Sequence, residues 1–254
     1  MKLLVLDSSG LVASVALIED DRLIAEYTTG NKLNHSQTLL PMLDEVTKMT
    51  SFNIESIDAI AAAMGPGSFT GLRIGAATAK GLGLALHKPI IPVPTVDGLA
   101  YQLFGAAHLI CPMMDARRKQ VYTGFYRFHG AEMEVVKAQC AQSVEDTLIQ
   151  LKEYKEPVIF LGDGVPVYRK EIEEAMGADA IFAPAHANRQ RAGAVGALAS
   201  ILSKRNLAKR GCVYSGIFKE ITSGKRERRT NPWRKRRQAL ENGMFIKQFR
   251  KIFQ

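Results

Sequence analysis

The sequence has few of the residues from which disulfide frameworks, zinc sites or membrane spans are built. It contains only three cysteines, which are odd in number, widely separated and without a C-x-x-C pair: Cys111, Cys140 and Cys212. This pattern indicates neither a disulfide framework nor a zinc site. No apolar run reaches the roughly 18 residues that a membrane-spanning helix needs. We therefore expect a globular cytoplasmic protein with no membrane segment.

Histidine-based metal motifs and familiar catalytic motifs are missing as well. The sequence has five histidines, no two of which stand three or four residues apart: His35, His87, His108, His129 and His186. Helical metal sites require such spacing, so no metal site is predicted. There is no G-x-S-x-G nucleophile elbow. Each prominent carboxylate stands alone, so the sequence assigns no general acid and base pair.

Positive charge is confined to one end of the chain. Residues 1–210 hold 22 Lys and Arg against 22 Asp and Glu, whereas residues 211–254 hold 12 against 3 and so carry the whole net charge of +9. An overall excess of positive charge normally favours an anionic partner such as nucleic acid. Here that argument applies to the tail alone.

What the sequence does contain is a repeated order of apolar segments. Strands are predicted at residues 2–7, 12–18 and 23–27, a helix capped by Ser36 at 36–49, a strand at 57–63, a helix at 70–86 and a strand at 89–93. The second half repeats the order, with strands at 108–114, 120–126 and 132–138, a helix at 144–153, a strand at 158–161, a helix at 167–176, a strand at 180–182 and a helix at 191–202.

Two copies of β-β-β-α-β-α predict a duplicated α/β architecture, with two actin-like, ribonuclease-H-like lobes of mixed sheets flanked by helices. We place the lobes at residues 1–104 and 105–210, followed by the tail at 211–254.

The glycine-rich segment GPGSFTGLRIG, residues 65–75, joins a predicted strand to a predicted helix. Backbone N–H groups at such a junction suit an anion, but the segment lacks the Lys-Ser/Thr of a Walker loop and the G-x-G-x-x-G spacing. Beyond it a bare stripe recurs every fourth residue: Gly71, Gly75, Ala79 and Gly83. Another backbone can approach this stripe closely. Spacing alone leaves open whether the stripe packs against the domain's own sheet or against a helix of a second protein.

Asp7, Ser8 and Ser9 follow the first strand, where actin-like ATPases carry an acidic turn that meets metal and phosphate. Asp115 follows the corresponding strand of the second half, and Asp163 lies between two glycines. An Asp at a strand end is also a common turn former, because its side chain accepts hydrogen bonds from nearby N–H groups. We regard Asp7, Ser8 and Ser9 as a vestigial phosphate site.

Five segments together resemble the bacterial TsaB family of threonylcarbamoyladenosine biosynthesis subunits. In chain order they are LVLDSS at 4–9, HS at 35–36 with LLP at 39–41, the glycine-rich segment, MDARR at 114–118 and GDG at 162–164. The resemblance implies a two-lobed actin-like fold over about residues 1–209. It also implies a catalytic partner, TsaD, and a small ATPase, TsaE, which together transfer threonylcarbamoyl to the adenosine 3′ of the anticodon in tRNAs reading ANN codons.

The resemblance further implies that the chain is not itself an enzyme. In the catalytic relative, the strand after the glycine-rich helix leads into a His-x-x-x-His metal motif, whereas the aligned positions here are Thr95-Val-Asp-Gly-Leu99. ATP and metal would then belong to the partner subunits, with no intrinsic cofactor, and tRNA would be bound through the complex.

The family uses its early helices to pack against the catalytic subunit. Carried over, this implies the following partner-binding residues: His35, Leu39, Leu43, Gly71, Gly75, Ala79 and Gly83. On this hypothesis Gly75→Leu abolishes partner binding while the chain stays folded. A homodimer through the same stripe is expected when the catalytic subunit is missing.

The tail departs from the family after Arg210. Its Lys and Arg residues with Trp233 between them suit RNA phosphates and bases, and the simpler alternative is a solvated run. A third hypothesis is a frameshift near Arg210, because Glu codons read one base out of register give Arg or Lys. Back-translated and read one base later, residues 209–233 can encode a run like the family's usual ending. Such a tail should be poorly packed.

Two other functions compete with the partner-subunit hypothesis. An actin-like phosphotransferase should bind and hydrolyse ATP alone, and a stand-alone RNA-binding protein should act through its basic tail. The substituted metal positions favour a partner subunit.

Overall fold

The first sheet of the computed structural model is built from the apolar runs of the first hundred residues. The structure describes residues 1–30 and 34–208, the last four of these as backbone only. The elements are β1 (Lys2–Asp7), β2 (Ala13–Glu19), β3 (Arg22–Thr29), α1 (His35–Thr50), β4 (Ala59–Ala63), α2 (Phe69–Leu86), β5 (Ile90–Val93) and α3 (Thr95–Tyr101). Strand order is β3-β2-β1-β4-β5. Central β1 is buried from its second residue onward, which explains its uninterrupted apolar sequence.

The second sheet repeats the first. Its elements are β6 (Leu109–Asp115), β7 (Gln120–His129), β8 (Glu132–Ser143), α4 (Val144–Glu153), β9 (Val158–Leu161), α5 (Gly164–Val167), α6 (Arg169–Met176), β10 (Ala180–Phe182) and α7 (Ala192–Ala208). Strand order is β10-β9-β6-β7-β8. In each sheet the first strand lies between an antiparallel neighbour (β2 or β7) and a parallel one (β4 or β9). The predicted duplicated α/β architecture is confirmed.

The beginning of α7 returns to the first sheet, although the sequence places it in the second lobe. A Cβ at Gly196 would lie 2.4 Å from Ile18 Cδ1 and 2.7 Å from Val5 Cγ2, so the helix approaches β1 and β2 closely. The Gly193 N–H donates to the Glu26 carboxylate at 2.8 Å. Residues Met1–Ile201 form one compact unit that includes both sheets, and Leu202–Gln254 form a second, described only for the end of α7.

Several predictions of local structure are wrong. The strand predicted at 132–138 continues to Ser143, because β8 pairs with β7 as far as Ser143, and the helix predicted at 167–176 is divided into α5 and α6. The helix predicted to be capped by Ser36 begins one residue earlier, and its N-cap, Asn34, makes no side-chain capping bond. The short helix α3 was not predicted, because Pro94 and Gly98 make its sequence resemble a loop. The predictions for residues 211–254 lie outside the described residues.

Candidate functional site

The turn after β1 is buried, and its polar groups bond within the chain. Asp7 is 1% exposed, and its Oδ1 accepts hydrogen bonds from the Ser9 backbone N–H at 2.8 Å and the Ser9 hydroxyl at 2.6 Å. Burial raises the pKa of the Asp7 carboxyl, while the Ser9 bonds and the nearby His35 lower it to a smaller extent. His35 Nε2 lies 3.0 Å from the Gly10 carbonyl oxygen. These contacts stabilise the conformation of the turn after β1.

The glycine-rich segment wraps closely around this turn. The Ser68 N–H donates to the Ser9 carbonyl at 2.7 Å, and the Ser8 hydroxyl donates to the Gly71 carbonyl at 2.9 Å. A Cβ at Gly71 would lie 2.0 Å from the Ser8 carbonyl oxygen, and one at Gly67 would lie 2.3 Å from that of Ser9. Glycine is therefore required at both positions, because any side chain would collide with backbone.

The bare stripe of α2 faces the chain's own residues. Gly71, Gly75 and Ala79 are buried, and a Cβ at Gly75 would lie 2.5 Å from Ser8 Oγ. At Gly83 a Cβ would lie 3.1 Å from a backbone oxygen of the following loop. Of the two alternatives that spacing left open, the structure supports packing within the domain. It also contradicts the expectation that Gly75→Leu leaves the chain folded, because a leucine side chain has no room there.

The partner-binding candidates on α1 are likewise turned inward. Leu39 and Leu43 are 1% and 0% exposed, and His35 is half-buried against the Gly10 carbonyl. Side chains in the core cannot form a docking surface. The interpretation of Leu39 and Leu43 as direct partner contacts is therefore corrected, while a contact through His35 and the use of α1 and α2 for docking stay predictions.

The outward face of α2 was missed by the sequence analysis. It carries exposed residues at helical spacing: Phe69, Arg73, Ala77, Lys80 and Leu84. Phe69 is 63% exposed and Leu84 74%, and the Arg73 guanidinium lies 3.8 Å from the centre of the Phe69 ring. The signal was present in the sequence, since these positions lie opposite the bare stripe. We call these five residues the outer face of α2.

The turn after β6 is held by its two carboxylates. The Asp115 N–H donates to Asp163 Oδ1 at 3.2 Å, and the Tyr168 hydroxyl donates to Asp115 Oδ1 at 3.1 Å. Burial raises the pKa of Asp163, partly offset by the Asp115 N–H bond and the positive charge of Arg189. The Arg189 guanidinium donates to the Gly162 carbonyl at 3.0 Å. Both aspartates therefore act as turn formers.

Side chains that the sequence analysis did not single out fill the space between the two turns. A Cβ at Gly67 would lie 3.2 Å from Met114 Cε. The Gln139 amide donates to the Gly65 carbonyl at 3.3 Å, and Gln190, 1% exposed, lies against Gly10. The residues assigned to a vestigial phosphate site are thus engaged with their own chain.

The segment aligned with the catalytic relative's metal motif forms the start of α3. Thr95 Oγ1 accepts the Gly65 N–H at 2.9 Å, the Asp97 carboxylate accepts the Tyr126 hydroxyl at 2.7 Å, and Leu99 is 1% exposed. These residues join the glycine-rich segment to the second sheet. In residues 1–30 and 34–208, no group of three or more His, Cys, Asp or Glu side chains is placed to hold a metal ion.

Two substitutions of Asp97 should distinguish the effect of its hydrogen bond on stability from the effect of its charge. Burial raises its pKa, so between the unfolded pKa and the higher folded pKa the native state binds more protons, and stability falls as pH rises. Asp97→Asn keeps an acceptor for Tyr126 and removes the ionisation, so its stability relative to wild type should increase from pH 4 to pH 7. Asp97→Ala should cost about 1–3 kcal/mol, because the Tyr126 hydroxyl loses its partner.

Urea unfolding of the wild-type chain and both variants at several pH values measures these effects. A relative stability of Asp97→Asn that fell with rising pH would contradict the assignment of a buried charge to Asp97.

The two mixed sheets share one strand order, and each carries an acidic turn after its central strand. These features define the class of proteins with an actin-like, ribonuclease-H-like fold. A solved structure described as an uncharacterized protein with similarity to peptidase YEAZ, from Pseudomonas aeruginosa, superposes with a TM-score of 0.70 and 27% identity. The superposition covers 84% of this chain and 98% of that one.

Sequence comparisons identify the family. The family model TsaD, described as tRNA N6-adenosine threonylcarbamoyltransferase, matches residues 23–214. The tRNA threonylcarbamoyladenosine biosynthesis protein TsaB of Bacillus subtilis (strain 168) is 37% identical over 177 residues, which cover 70% of this chain and 77% of that protein. TsaB of Escherichia coli (strain K12) is 34% identical over 145 residues, covering 54% and 62% respectively. This chain belongs to the TsaB family.

Among residues 1–30 and 34–208, no helix has an apolar stretch of the length that crossing a membrane requires.

Proposed function

We propose that this chain is a non-catalytic subunit in the biosynthesis of threonylcarbamoyladenosine in tRNA, and that it acts with a TsaD-like catalytic subunit and a TsaE-like ATPase. Its membership of the TsaB family supports the pathway, because the relatives are named for that biosynthesis. The ATP and metal of the reaction would belong to the partner subunits. The tRNA would be bound by the assembled complex.

The observation that carries the non-catalytic role is the chemistry of the first residues of α3. Thr95, Val96 and Leu99 provide no imidazole or thiolate, and the one carboxylate, Asp97, accepts a hydrogen bond from Tyr126. Moreover, the Val96 N–H donates to Gln139 Oε1 at 3.2 Å, so this segment is used for internal packing. Thr95 and Leu99 stand at the positions that ligate metal in the catalytic relative. Their side-chain chemistry and the hydrogen bonds of this segment support a structural role for these positions here.

The surface of this chain that contacts the catalytic subunit in this proposal is the outer face of α2. Phe69 and Leu84 expose most of their apolar surface there, and Ala77 between them allows close approach of a partner helix.

The homodimer was predicted through the bare stripe, which the chain's own residues cover at Gly71, Gly75 and Ala79, so this part of the prediction is corrected. Self-association of the chain without its partner would instead use the outer face of α2.

Reconstitution tests the proposal. The chain is combined with the TsaD-like subunit, the TsaE-like ATPase, threonylcarbamoyladenylate and a tRNA that reads an ANN codon, and the modified nucleoside is quantified by mass spectrometry. We expect modification only when the chain is present. Full activity of the mixture without it would refute the proposal, and modification by the chain alone would refute its non-catalytic part.

The packing between the two turns argues against an actin-like phosphotransferase. Asp7 is already bonded to Ser9, and Met114 lies against Gly67, so the groups expected to meet a phosphate are occupied. We expect no ATP hydrolysis by the isolated chain. An RNA-binding role of the tail concerns residues outside those described.

A further inference from the structure

The loop between β6 and β7 adopts a backbone conformation that its residues disfavour. Arg117, Arg118 and Lys119 have φ values of 69°, 53° and 58°, in the left-handed region. The Gln120 N–H donates to the Arg117 carbonyl at 3.0 Å, which closes a tight turn with positive φ at both central residues. Hairpins with this geometry strongly prefer Asn-Gly, because at positive φ the Cβ of most residues lies too close to a backbone carbonyl oxygen.

Buried groups hold the turn in this conformation. The Arg117 N–H donates to Asp115 Oδ1 at 2.9 Å, and Asp115 in turn bonds to Tyr168. On the other side, the Val144 N–H donates to the Lys119 carbonyl at 3.0 Å. The strained backbone is therefore imposed by the second sheet and α4, which fix the points from which the three side chains leave the backbone.

The same turn concentrates positive charge on a part of the chain whose charges balance overall, since residues 1–210 hold 22 basic and 22 acidic residues. All three basic residues are exposed, and Arg117 is 3.8 Å from the Asp115 carboxylate. Among the described residues, no carboxylate lies within ion-pair distance of Arg118 or Lys119. A turn needed only to reverse the chain would be more stable with Asn and Gly. The backbone strain is retained together with three basic side chains, which indicates that these side chains have a function.

We infer that Arg117, Arg118 and Lys119 form a contact for the phosphate backbone of RNA, and we call this segment the basic turn. The inference rests on the proposed function, which supplies tRNA as the polyanion. Guanidinium groups bind phosphates bidentately, and Lys adds a point charge. The three residues lie on an exposed turn, so they suit an extended chain of phosphates better than a single enclosed anion.

Neighbouring carboxylates limit the size of this contact. Lys119 also borders a groove shared with Glu145, Glu171 and Glu174, which repel phosphate. We therefore expect the basic turn to contact about two phosphates, with a corresponding decrease of about two in the slope of log affinity against log salt when it is neutralised.

The test replaces the strained basic turn by a relaxed neutral one. Arg118→Asn combined with Lys119→Gly provides the residues that the turn prefers, so the melting temperature of the chain should rise by a few degrees. In the reconstituted complex at 0.15 M salt, the KM for tRNA should increase about 3- to 10-fold and its salt dependence should weaken, while kcat at saturating tRNA stays unchanged.

The matched control is Arg22→Gln combined with Lys48→Gln. These side chains are 70% and 68% exposed and lie on β3 and α1, away from the basic turn and its groove, so the variant removes the same charge from a different surface. We expect its KM for tRNA to equal that of the wild-type chain. An equal increase in the control would show a general charge effect and overturn the inference.

Two further outcomes would also overturn it. One is an unchanged KM and salt slope for the Asn-Gly variant, and the other is a lower melting temperature, which would remove the premise of strain. A wild-type chain that fails to restore modification contradicts the proposed function instead. The two failures are therefore distinguishable within one set of assays.

Discussion

Gly71→Ala is expected to prevent the chain from folding, or to lower its free energy of unfolding by more than about 4 kcal/mol. The added Cβ would lie 2.0 Å from the Ser8 carbonyl oxygen. Relief would require α2 to move away from the turn after β1, and the Ser8 hydroxyl would then lose its bond to the Gly71 carbonyl. A backbone oxygen cannot swing aside as the end of a flexible side chain can, so the cost should be large.

Soluble yield, circular dichroism and urea unfolding measure this effect. Gly30→Ala is the matched control, since its Cβ would make ordinary contact with Val12 Cγ1 at 3.6 Å. We expect the control to behave like the wild-type chain. A Gly71→Ala variant with normal stability would show that α2 does not lie against Ser8 as described.

Ala77→Glu should reduce affinity for the TsaD-like subunit by about two orders of magnitude while leaving the isolated chain folded. Ala77 lies midway along the outer face of α2, between Phe69 and Leu84. If a partner helix covers this face, the new carboxylate is buried without a counterion. Glutamate is itself a good helix former, so stability of the free chain should change little.

Titration of the labelled catalytic subunit with each variant measures the affinity. Ala197→Glu on α7 is the matched control, because it makes the same change at another exposed helical alanine. Wild-type affinity of Ala77→Glu, or equal loss in the control, would remove the outer face of α2 from the interface. This comparison replaces Gly75→Leu, whose effect on folding would obscure any effect on binding.

Several elements could be predicted to the residue from local patterns. The strands Lys2–Asp7 and Val158–Leu161 each contain an uninterrupted apolar run, which ends at Asp7 in the first and before Gly162 in the second, and both have the predicted bounds. The helix Val144–Glu153 also begins where predicted, with the Ser143 hydroxyl accepting the Asp146 N–H at 2.9 Å. Periodicity and capping are properties of neighbouring residues, so the sequence alone records them.

The candidate site was less predictable, because its contacts join distant residues. The sequence placed Asp7 and Asp163 at strand ends, with turn formation as one alternative to a phosphate site, but Gln139 and Gln190, which lie between the turns, have no distinctive local pattern. The strain of the basic turn was also invisible in the sequence. Its residues, 117–119, contain no glycine or asparagine to signal positive φ, and only their surroundings impose it.

The glycine-rich segment shows where the two kinds of information divide. By itself the sequence determined the duplicated order of strands and helices, the resemblance to the TsaB family and the bare stripe on α2. Only the tertiary structure decided that Ser8 and the first sheet cover this stripe, and that the opposite face is exposed. Small residues at every fourth position of a helix permit close approach by any backbone. Which backbone approaches depends on how the whole chain packs.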